Sequence, residues 1–350
     1  MNNKIVIYVL FAMLLVFSAQ GCGVFKSLGQ NPQGAALKKI EKMPNYNGGK
    51  FHNQKGDDSV EINGFKALKS ILNRSETVRP FNRLPSIQTN LKDLQAAAPT
   101  IVWFGHSSVL LKTKQGNILI DPIFSNNAGP VPGMVKAFHG STGYDGDDMP
   151  KIDVLLISHD HYDHLDYKTV KKLKDRIKKV VVPIGVGSHF IHWGFDPKKI
   201  TELNWNESTI IAGGIEITAT PARHRSNRTL STDKTLWASF VIKADGYKLF
   251  YSGDGGYGEH FKKIGQQYGP FDLALMECGQ YSPNWPTHHM NPEQTAQAAA
   301  DLQAKIVQPV HWAKFAESHH PWNEPVNRLL TAAKVFNYKV SIPEIGQPYV

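Results

Sequence analysis

Residues 152–164 read IDVLLISHDHYDH, a mainly apolar run that ends in three histidines interleaved with aspartates. The apolar part predicts a buried strand, because short runs of this kind are typical of strands covered on both faces. His159, His161, Asp163 and His164 leave the end of that strand together. Imidazole and carboxylate groups hold zinc-like cations, so the stretch predicts a metal-binding loop.

The spacing within this loop allows it to serve two metal positions. In an extended segment, His159 and His161 are two residues apart and point the same way, whereas Asp163 and His164 turn toward a neighbouring position. A solvated acidic loop without a metal is the alternative interpretation. Further ligand-type residues elsewhere in the chain would favour the metal-binding loop.

Length and composition indicate a globular enzyme. The 350 residues are 41% hydrophobic, which is enough for a sizeable core in one large domain or two smaller ones. The net charge of +9 favours anionic partners such as phospholipid headgroups, with an ordinary solvated basic surface as the alternative. No RNA-binding signature or zinc-finger spacing occurs, so no nucleic-acid partner is predicted. These features predict no particular oligomeric state.

The first 21 residues have the pattern of a signal peptide. Lys4 precedes the apolar run 5–17, which is too short to cross a bilayer comfortably, and small residues follow at 18–21. The segment AQGC resembles a bacterial lipobox, so we expect cleavage before Cys22 and lipidation of its thiol. The protein would then be a membrane-anchored lipoprotein of the bacterial cell envelope, on its periplasmic or surface face. Ordinary secretion with cleavage nearby is the alternative.

The remaining chain divides into three predicted parts. Residues 22–60 lack periodicity and predict a lipoprotein tether and irregular arm. Residues 61–99 predict an N-terminal extension that packs on the main domain. Within it, apolar residues at helical spacing over 61–74 predict an amphipathic helix, whose alternative role is contact with a membrane. Residues 100–350 form the predicted catalytic domain.

From residue 100 onward, short strands and tight turns dominate, and residues 167–180, with six lysines, predict a surface helix. The second half repeats this mainly β pattern and has a helical pattern over 292–304. Two β-rich halves with helices outside predict an α/β (α+β) fold, a four-layer αββα sandwich. The predicted strands are TIVWFG, SVLLKT, NILIDP, IDVLLIS, VVVPIG, GIEITATPA, LWASFVIKA, YKLFYSGD, FDLALMEC and KIVQPVHW.

Further ligand types follow apolar strands in the second half. His224 follows ITATPAR, Asp254 follows KLFYSG and His311 follows KIVQPV. One such residue alone is more often a surface or capping group, but three of them beside HDHYDH favour a metal site. In the first half, His106 and Asp121 also lie at strand ends and are candidates for orienting ligands by hydrogen bonds.

The chain resembles the metallo-β-lactamase-fold hydrolases, and among them the N-acylphosphatidylethanolamine-hydrolysing phospholipase D family. The resemblance begins near GGKFHN (48–53) and continues to the C-terminal region. Its most specific segments are WFGHSSVLL, IDPIFS, LLISHDHYDHLDY, ARHRSNRT, SGDGGY, GPFDLALMECGQYSPNW, HHMNPEQ and QPVHWAKF.

The resemblance implies a site with two divalent metal ions, which are expected to be zinc by family analogy. A hydroxide between the metals would hydrolyse N-acylphosphatidylethanolamine to N-acylethanolamine and phosphatidic acid, without a covalent enzyme intermediate. Asp163, Asp254 and His289 would be catalytic, and Asp254 would bridge the metals. The implied metal ligands are His159, His161 and His224 at one ion and Asp163, His164 and His311 at the other.

Two other function classes remain open from the sequence. A metal-dependent lactonase or a different phosphodiesterase would use the same fold and metals, because the fold does not select the substrate. A non-catalytic envelope lipoprotein with a decayed site is the other class. The family also commonly has a hydroxyl residue where this chain has Gly255, which predicts weaker support for Asp254.

Overall fold

The structure is a computed structural model that describes residues 25–55, 75–95, 98–131, 133–229 and 231–349. The predicted signal peptide, Cys22 and the predicted helix over 61–74 lie outside the described residues. Within the described stretches, every helix is too short or too polar to cross a lipid bilayer.

Two seven-stranded sheets form the centre of the molecule. The first sheet has the spatial order β16 (Pro348–Tyr349), β3 (Thr100–Trp103), β4 (Val109–Thr113), β5 (Gly116–Ile120), β6 (Ile152–Leu156), β7 (Ile177–Pro183) and β8 (Ile200–Leu203). The second has the order β15 (Lys339–Val340), β14 (Ile306–Val310), β13 (Leu273–Glu277), β12 (Tyr247–Tyr251), β11 (Ser239–Ala244), β10 (Ile215–Thr220) and β9 (Ser208–Ile211).

Residues 25–28 are helical, and six further α-helices and a small hairpin complete the described fold. The hairpin consists of β1 (Tyr46–Asn47) and β2 (Lys50–Phe51). The helices are α1 (Gly34–Ile40), α2 (Tyr167–Leu173), α3 (Gly187–His192), α4 (His260–Tyr268), α5 (Pro292–Asp301) and α6 (Glu324–Ala332). Short 3-10 helices occupy Glu76–Val78, Lys174–Arg176, Pro197–Lys199 and Ala333–Val335.

Alternating side chains along the strands build the four layers. On β4, Val109 and Leu111 belong to the core between the two sheets, whereas Leu110 packs with Val170 of α2 and Phe190 of α3. On the outer face of the second sheet, residues of α4 and α5 form a separate apolar cluster. The predicted αββα sandwich is therefore confirmed, with the main core between the sheets.

The helix predicted over 167–180 is shorter than expected. It begins after Asp166, whose side chain accepts a hydrogen bond from the Lys168 amide, and the α-helix ends at Leu173. Residues 177–179 instead begin β7, which continues into the predicted strand VVVPIG and lies between β6 and β8. The lysines at 178 and 179 continue the lysine-rich pattern of the helix, whereas the consecutive β-branched residues that follow favour a buried strand.

Residues 22–60 are predicted to be a lipoprotein tether and irregular arm, but the described part, 25–55, is not a tether because it packs on the catalytic domain. Ile40, Tyr46 and Phe51 of this arm are buried in one apolar cluster with Leu236 and Trp237 of the catalytic domain. These apolar side chains are spaced unevenly along the sequence, so they show neither a helical nor a strand period. The arm is a packed part of the domain.

Candidate metal centre

The predicted ligands all follow strands that point toward the same edge of the sandwich. HDHYDH follows β6, His224 follows β10, Asp254 follows β12 and His311 follows β14. Hydrogen bonding in the strands fixes the positions of these loops, so side chains distant in sequence meet. His311 adopts a positive φ of 68°, a conformation in which the chain turns sharply out of β14.

His159, His161 and His224 form the first cluster. One possible ligand nitrogen from each ring lies within 4.8 Å of those of the other two. The Nε2 atom of His224 is 3.3 Å from Nδ1 of His161. Nδ1 of His224 is 3.0 Å from the backbone carbonyl of His288, to which it can donate, so Nε2 is left for the cluster.

Asp163, His164 and His311 form the second cluster, together with His106. Oδ2 of Asp163 lies 3.2 Å from Nε2 of His164 and 3.2 Å from Nε2 of His311. His106 approaches the same oxygen, with its Nε2 atom at 2.9 Å. The structure therefore places His106 beside Asp163, where its ring could orient this predicted ligand.

Asp254 lies between the two clusters. Its Oδ2 atom is 3.0 Å from Nε2 of His164 and 2.9 Å from Nε2 of His311. The same oxygen is 3.9 Å from Nε2 of His159 and 4.0 Å from Nε2 of His224. All seven predicted ligands thus converge, and the carboxylate of Asp254 reaches both groups.

Buried atoms in this centre fit divalent cations. Among the described residues, Nε2 of His159 and Oδ1 of Asp254 have no hydrogen-bond partner although they are buried. An unsatisfied buried polar atom is costly, and a bound cation would satisfy both. The donor set of imidazoles and carboxylates suits several divalent transition-metal ions, zinc among them.

The pKa values of four of the predicted ligands also favour metal binding. Burial, reinforced by neighbouring histidines, holds the pKa of His159 and of His224 well below the ordinary value. These rings are consequently neutral and able to donate a lone pair to a metal. Burial opposes ionisation of Asp163 and Asp254, but the surrounding histidines outweigh it and hold both carboxyl pKa values well below normal.

Asp121 contacts the predicted ligand His164 on the side of the ring that faces away from the cluster. Its Oδ2 atom is 2.6 Å from Nδ1 of His164, on the side of the ring opposite the cluster. The carboxylate also accepts hydrogen bonds from the amide and hydroxyl of Ser158 and from the hydroxyl of Tyr251. This contact suits the predicted role of Asp121, which is to orient His164 without being a ligand itself.

Sequence reasoning missed Glu277, at the end of β13. This buried carboxylate accepts a hydrogen bond from Nδ1 of His289 and another, of 2.9 Å, from the amide of Gly255. The ring of His289 stacks on His311 with centroids 5.1 Å apart. The structure therefore brings the predicted catalytic His289 to the centre and shows what holds it there. The sequence signal that could have found Glu277 is its position at the end of an apolar strand, as for the predicted ligands.

Sequence reasoning also missed Asn53, in the arm. Its side-chain amide donates to the backbone carbonyl of His224 at 2.9 Å and accepts from the His224 amide at 3.1 Å. The indole of Trp237 donates to the same Asn53 oxygen at 3.1 Å. The arm thus clamps the backbone of a predicted metal ligand.

A second connection runs from the arm to HDHYDH. Asp160, between two predicted ligands, accepts a hydrogen bond from the Thr235 hydroxyl at 2.8 Å and lies 3.2 Å from Nε2 of His189. The buried guanidinium of Arg228 donates to the Asp160 carbonyl at 2.8 Å and to the Ser27 carbonyl at 3.0 Å. These bonds tie the start of the arm to the predicted metal loop.

Comparison with known proteins identifies a family with this fold. Residues 116–312 match the Beta-lactamase superfamily domain. An uncharacterised protein of Mycobacterium tuberculosis is 35% identical over 323 residues, covering 89% of this chain and 86% of that protein. N-acyl-phosphatidylethanolamine-hydrolyzing phospholipase D 1 of Caenorhabditis elegans is 31% identical over 230 residues, covering 61% of this chain and 63% of that protein.

A solved structure shares the fold. Igni18, a metallo hydrolase from the archaeon Ignicoccus hospitalis, superposes with a TM-score of 0.55 at 23% identity. The match covers 72% of this chain and 97% of that one. At this level of identity, the likeness extends to the fold alone.

Proposed function

The chain belongs to the β-lactamase superfamily as a metal-dependent hydrolase of the metallo-β-lactamase fold, and we propose that it hydrolyses N-acylphosphatidylethanolamine to N-acylethanolamine and phosphatidic acid. The observation that carries this proposal is Asp254, whose carboxylate lies between two clusters of imidazole ligands. Paired cations suit in-line displacement at phosphorus. The similarity to the C. elegans enzyme, whose name specifies this substrate, supports the choice of lipid.

We assign two zinc ions to the two clusters described above, which would hold one ion each, with Asp254 contributing to both. When bound, such ions lower the pKa of a coordinated water and stabilise negative charge on phosphoryl oxygens. The buried carboxylates of Asp163 and Asp254 would offset part of the positive charge of the ions.

His289 is the residue we assign to the leaving group. Because Nδ1 of its ring donates to Glu277, Nε2 is the atom that can exchange a proton with substrate. Its side chain is partly exposed, at 15%, so the ring is accessible from solvent while the Glu277 carboxylate is fully buried. In the proposed reaction, His289 assists departure of the N-acylethanolamine oxygen and Glu277 keeps the ring in orientation.

The test is product identification with isotopic water. Zinc-loaded protein is incubated with N-acylphosphatidylethanolamine vesicles in H₂¹⁸O, and we expect N-acylethanolamine together with phosphatidic acid that carries ¹⁸O in its phosphate. Asp254→Asn should retain the fold and lose at least about a hundredfold in rate, because the shared carboxylate is lost. Hydrolysis of a lactone panel without release of N-acylethanolamine would replace the proposal with a lactonase. Inactivity on all esters at full zinc occupancy would favour a binding protein.

We also propose that a lipid on Cys22 anchors the protein to a membrane of the bacterial cell envelope, close to a phospholipid substrate. The support is the signal-peptide pattern of residues 1–21 and the lipobox-like AQGC. A single acyl chain binds membranes weakly, so stable anchoring requires more than one chain. Wild-type protein should enter the detergent phase on phase separation and Cys22→Ala should not; equal partitioning of the two would contradict the anchor.

A further inference from the structure

Arg228 lies between the predicted metal loop and the start of the arm. It belongs to the ARHRSNRT stretch that follows β10, and only 2% of its surface is exposed. Its guanidinium has no lone pair to donate, so it cannot be a metal ligand itself. The burial of a cation beside a predicted metal centre therefore needs another explanation.

One nitrogen of this guanidinium joins the two ends of the predicted metal loop. Nη1 of Arg228 donates to the backbone carbonyl of Asp160 and to that of Leu165, each at 2.8 Å. Three predicted ligands lie between these two carbonyls, and a fourth directly precedes Asp160. Four of the seven predicted ligands are thus part of a segment whose ends are connected through one side chain.

The other contacts of Arg228 fix the orientation of its guanidinium. Nε donates to the Ser27 carbonyl at 3.0 Å, and Cζ lies 4.4 Å from the centre of the Tyr162 ring and 5.0 Å from that of Trp193. The Tyr162 hydroxyl in turn donates to the backbone carbonyl of Arg228 at 2.6 Å. A planar group held by directed hydrogen bonds and by two aromatic rings has little freedom to rotate.

Burial of this cation is costly. It lowers the pKa of Arg228, because the charged form is poorly solvated, and Nη2 has no hydrogen-bond partner among the described residues. An apolar side chain would fill the same space without this cost. The hydrogen bonds to the loop are what such a side chain could not supply, so orientation of the loop explains the arginine better than packing does.

We propose that Arg228 is a positioning residue of the metal centre, which holds the HDHYDH loop in the shape that presents its ligands to both clusters. Without its hydrogen bonds the two ends of the loop would be free to separate, and the ligands between them would lose their relative positions. The inference rests on the metal centre assigned above and not on the substrate, so it stands whichever ester the protein hydrolyses.

The experiment replaces zinc by cobalt(II), whose visible absorption bands depend on the number and arrangement of its ligands. The full chain is titrated with cobalt, and the dissociation constant and the spectrum at saturation are measured for wild type and for Arg228→Lys. Lysine keeps the positive charge but has a single nitrogen, which cannot reproduce the bonds of both Nη1 and Nε. We expect the affinity to fall about 10- to 100-fold and the absorption bands to shift.

Arg176→Lys is the matched control. Nη1 of Arg176 also donates to three backbone carbonyls, those of Gly146, Asp147 and Met149, at 2.9–3.1 Å, but their loop contains no predicted ligand. This variant should keep the cobalt affinity and the spectrum of the wild type. Circular dichroism of the metal-free proteins shows whether each variant is folded.

Tyr162→Phe provides a second test that leaves Arg228 in place. It removes the hydroxyl that holds the Arg228 carbonyl but keeps the ring, so we expect a smaller loss of cobalt affinity, of about fivefold. A folded Arg228→Lys variant with the affinity and spectrum of the wild type would show a merely structural role and overturn the proposal. Equal losses in Arg228→Lys and Arg176→Lys would do the same, as would unchanged cobalt binding by Tyr162→Phe where Arg228→Lys does not fold.

Discussion

At the scale of single residues, Glu277 explains how the centre can contain Gly255 in place of a hydroxyl residue. A Cβ atom at position 255 would lie 3.2 Å from both the backbone nitrogen and the oxygen of Arg223, so a side chain would crowd that strand end. The amide of Gly255 instead donates to the Glu277 carboxylate. Support for the Asp254 loop therefore comes from a backbone hydrogen bond, and the weaker support predicted from the sequence is not required.

Replacing Glu277 by glutamine should weaken metal binding without unfolding the protein. The amide retains the size of the side chain and one acceptor oxygen, but it loses the charge that holds His289 and the Gly255 loop. Removal of such supporting hydrogen bonds typically lowers metal affinity by about 10- to 100-fold. Competition with a chromophoric zinc chelator measures the affinity. Glu293→Gln is the control, since Glu293 is a surface carboxylate paired with Arg328, and an equal effect of both changes would contradict this role.

Zinc binding should release protons at neutral pH. Burial opposes protonation of His164 and His311, but the carboxylates of Asp254 and Asp163 outweigh it and raise both pKa values well above normal. Both rings are therefore protonated in the metal-free protein at pH 7, and about two protons must leave when the rings become ligands. Zinc affinity should consequently fall as the pH falls.

Titration calorimetry in two buffers of different ionisation enthalpy counts these protons. The low pKa values of His159 and His224 mean that these two rings contribute none. The His192→Ala variant, which changes an exposed histidine, should release the same number of protons on zinc binding as the wild type. Zinc binding without proton release would show that the carboxylates do not keep His164 and His311 protonated in the metal-free protein.

At the scale of elements, packing of the arm should contribute measurably to stability. Phe51 of β2 is 1% exposed against the catalytic domain, whereas Phe81 is 102% exposed. Phe51→Ala should lower the free energy of unfolding by about 3–5 kcal/mol, because it removes a large buried side chain and leaves a cavity. Phe81→Ala should change it by less than about 0.5 kcal/mol. Urea unfolding measures both, and equal effects would mean that the arm is a tether after all.

The strands and the convergence of predicted ligands could be inferred from the sequence because both have local signals. Each of His224, Asp254 and His311 follows an apolar run, and strand ends in a layered sheet meet at one edge. The arm has no such signal, since Asn53 acts on a residue 171 positions away. Likewise, β16 is only two residues long and joins the first sheet by pairing with β3. Contacts of this kind depend on the tertiary fold.

At the scale of the whole molecule, the centre is complete only when the two sheets are packed together. The first sheet supplies HDHYDH with its supports His106 and Asp121, and the second supplies His224, Asp254 and His311. Neither half brings together a full ligand set for either predicted metal. Bonds from Asn53 and Arg228 add the arm to the same assembly. Metal binding and global folding should therefore be coupled.

Removing the metals should lower the melting temperature of the whole chain. A ligand present at about a thousand times its dissociation constant stabilises the native state by about 4 kcal/mol, provided that the unfolded chain does not bind it. For a protein of this size, that corresponds to about 5–10 °C. Differential scanning calorimetry with zinc and then with excess chelator measures the shift. The His159→Ala variant should lose most of this shift in melting temperature because one cluster is incomplete, whereas the His192→Ala variant should retain the shift. A melting temperature that does not respond to chelation in wild-type protein would contradict the coupling, since zinc would then bind the folded and unfolded chains equally or not at all.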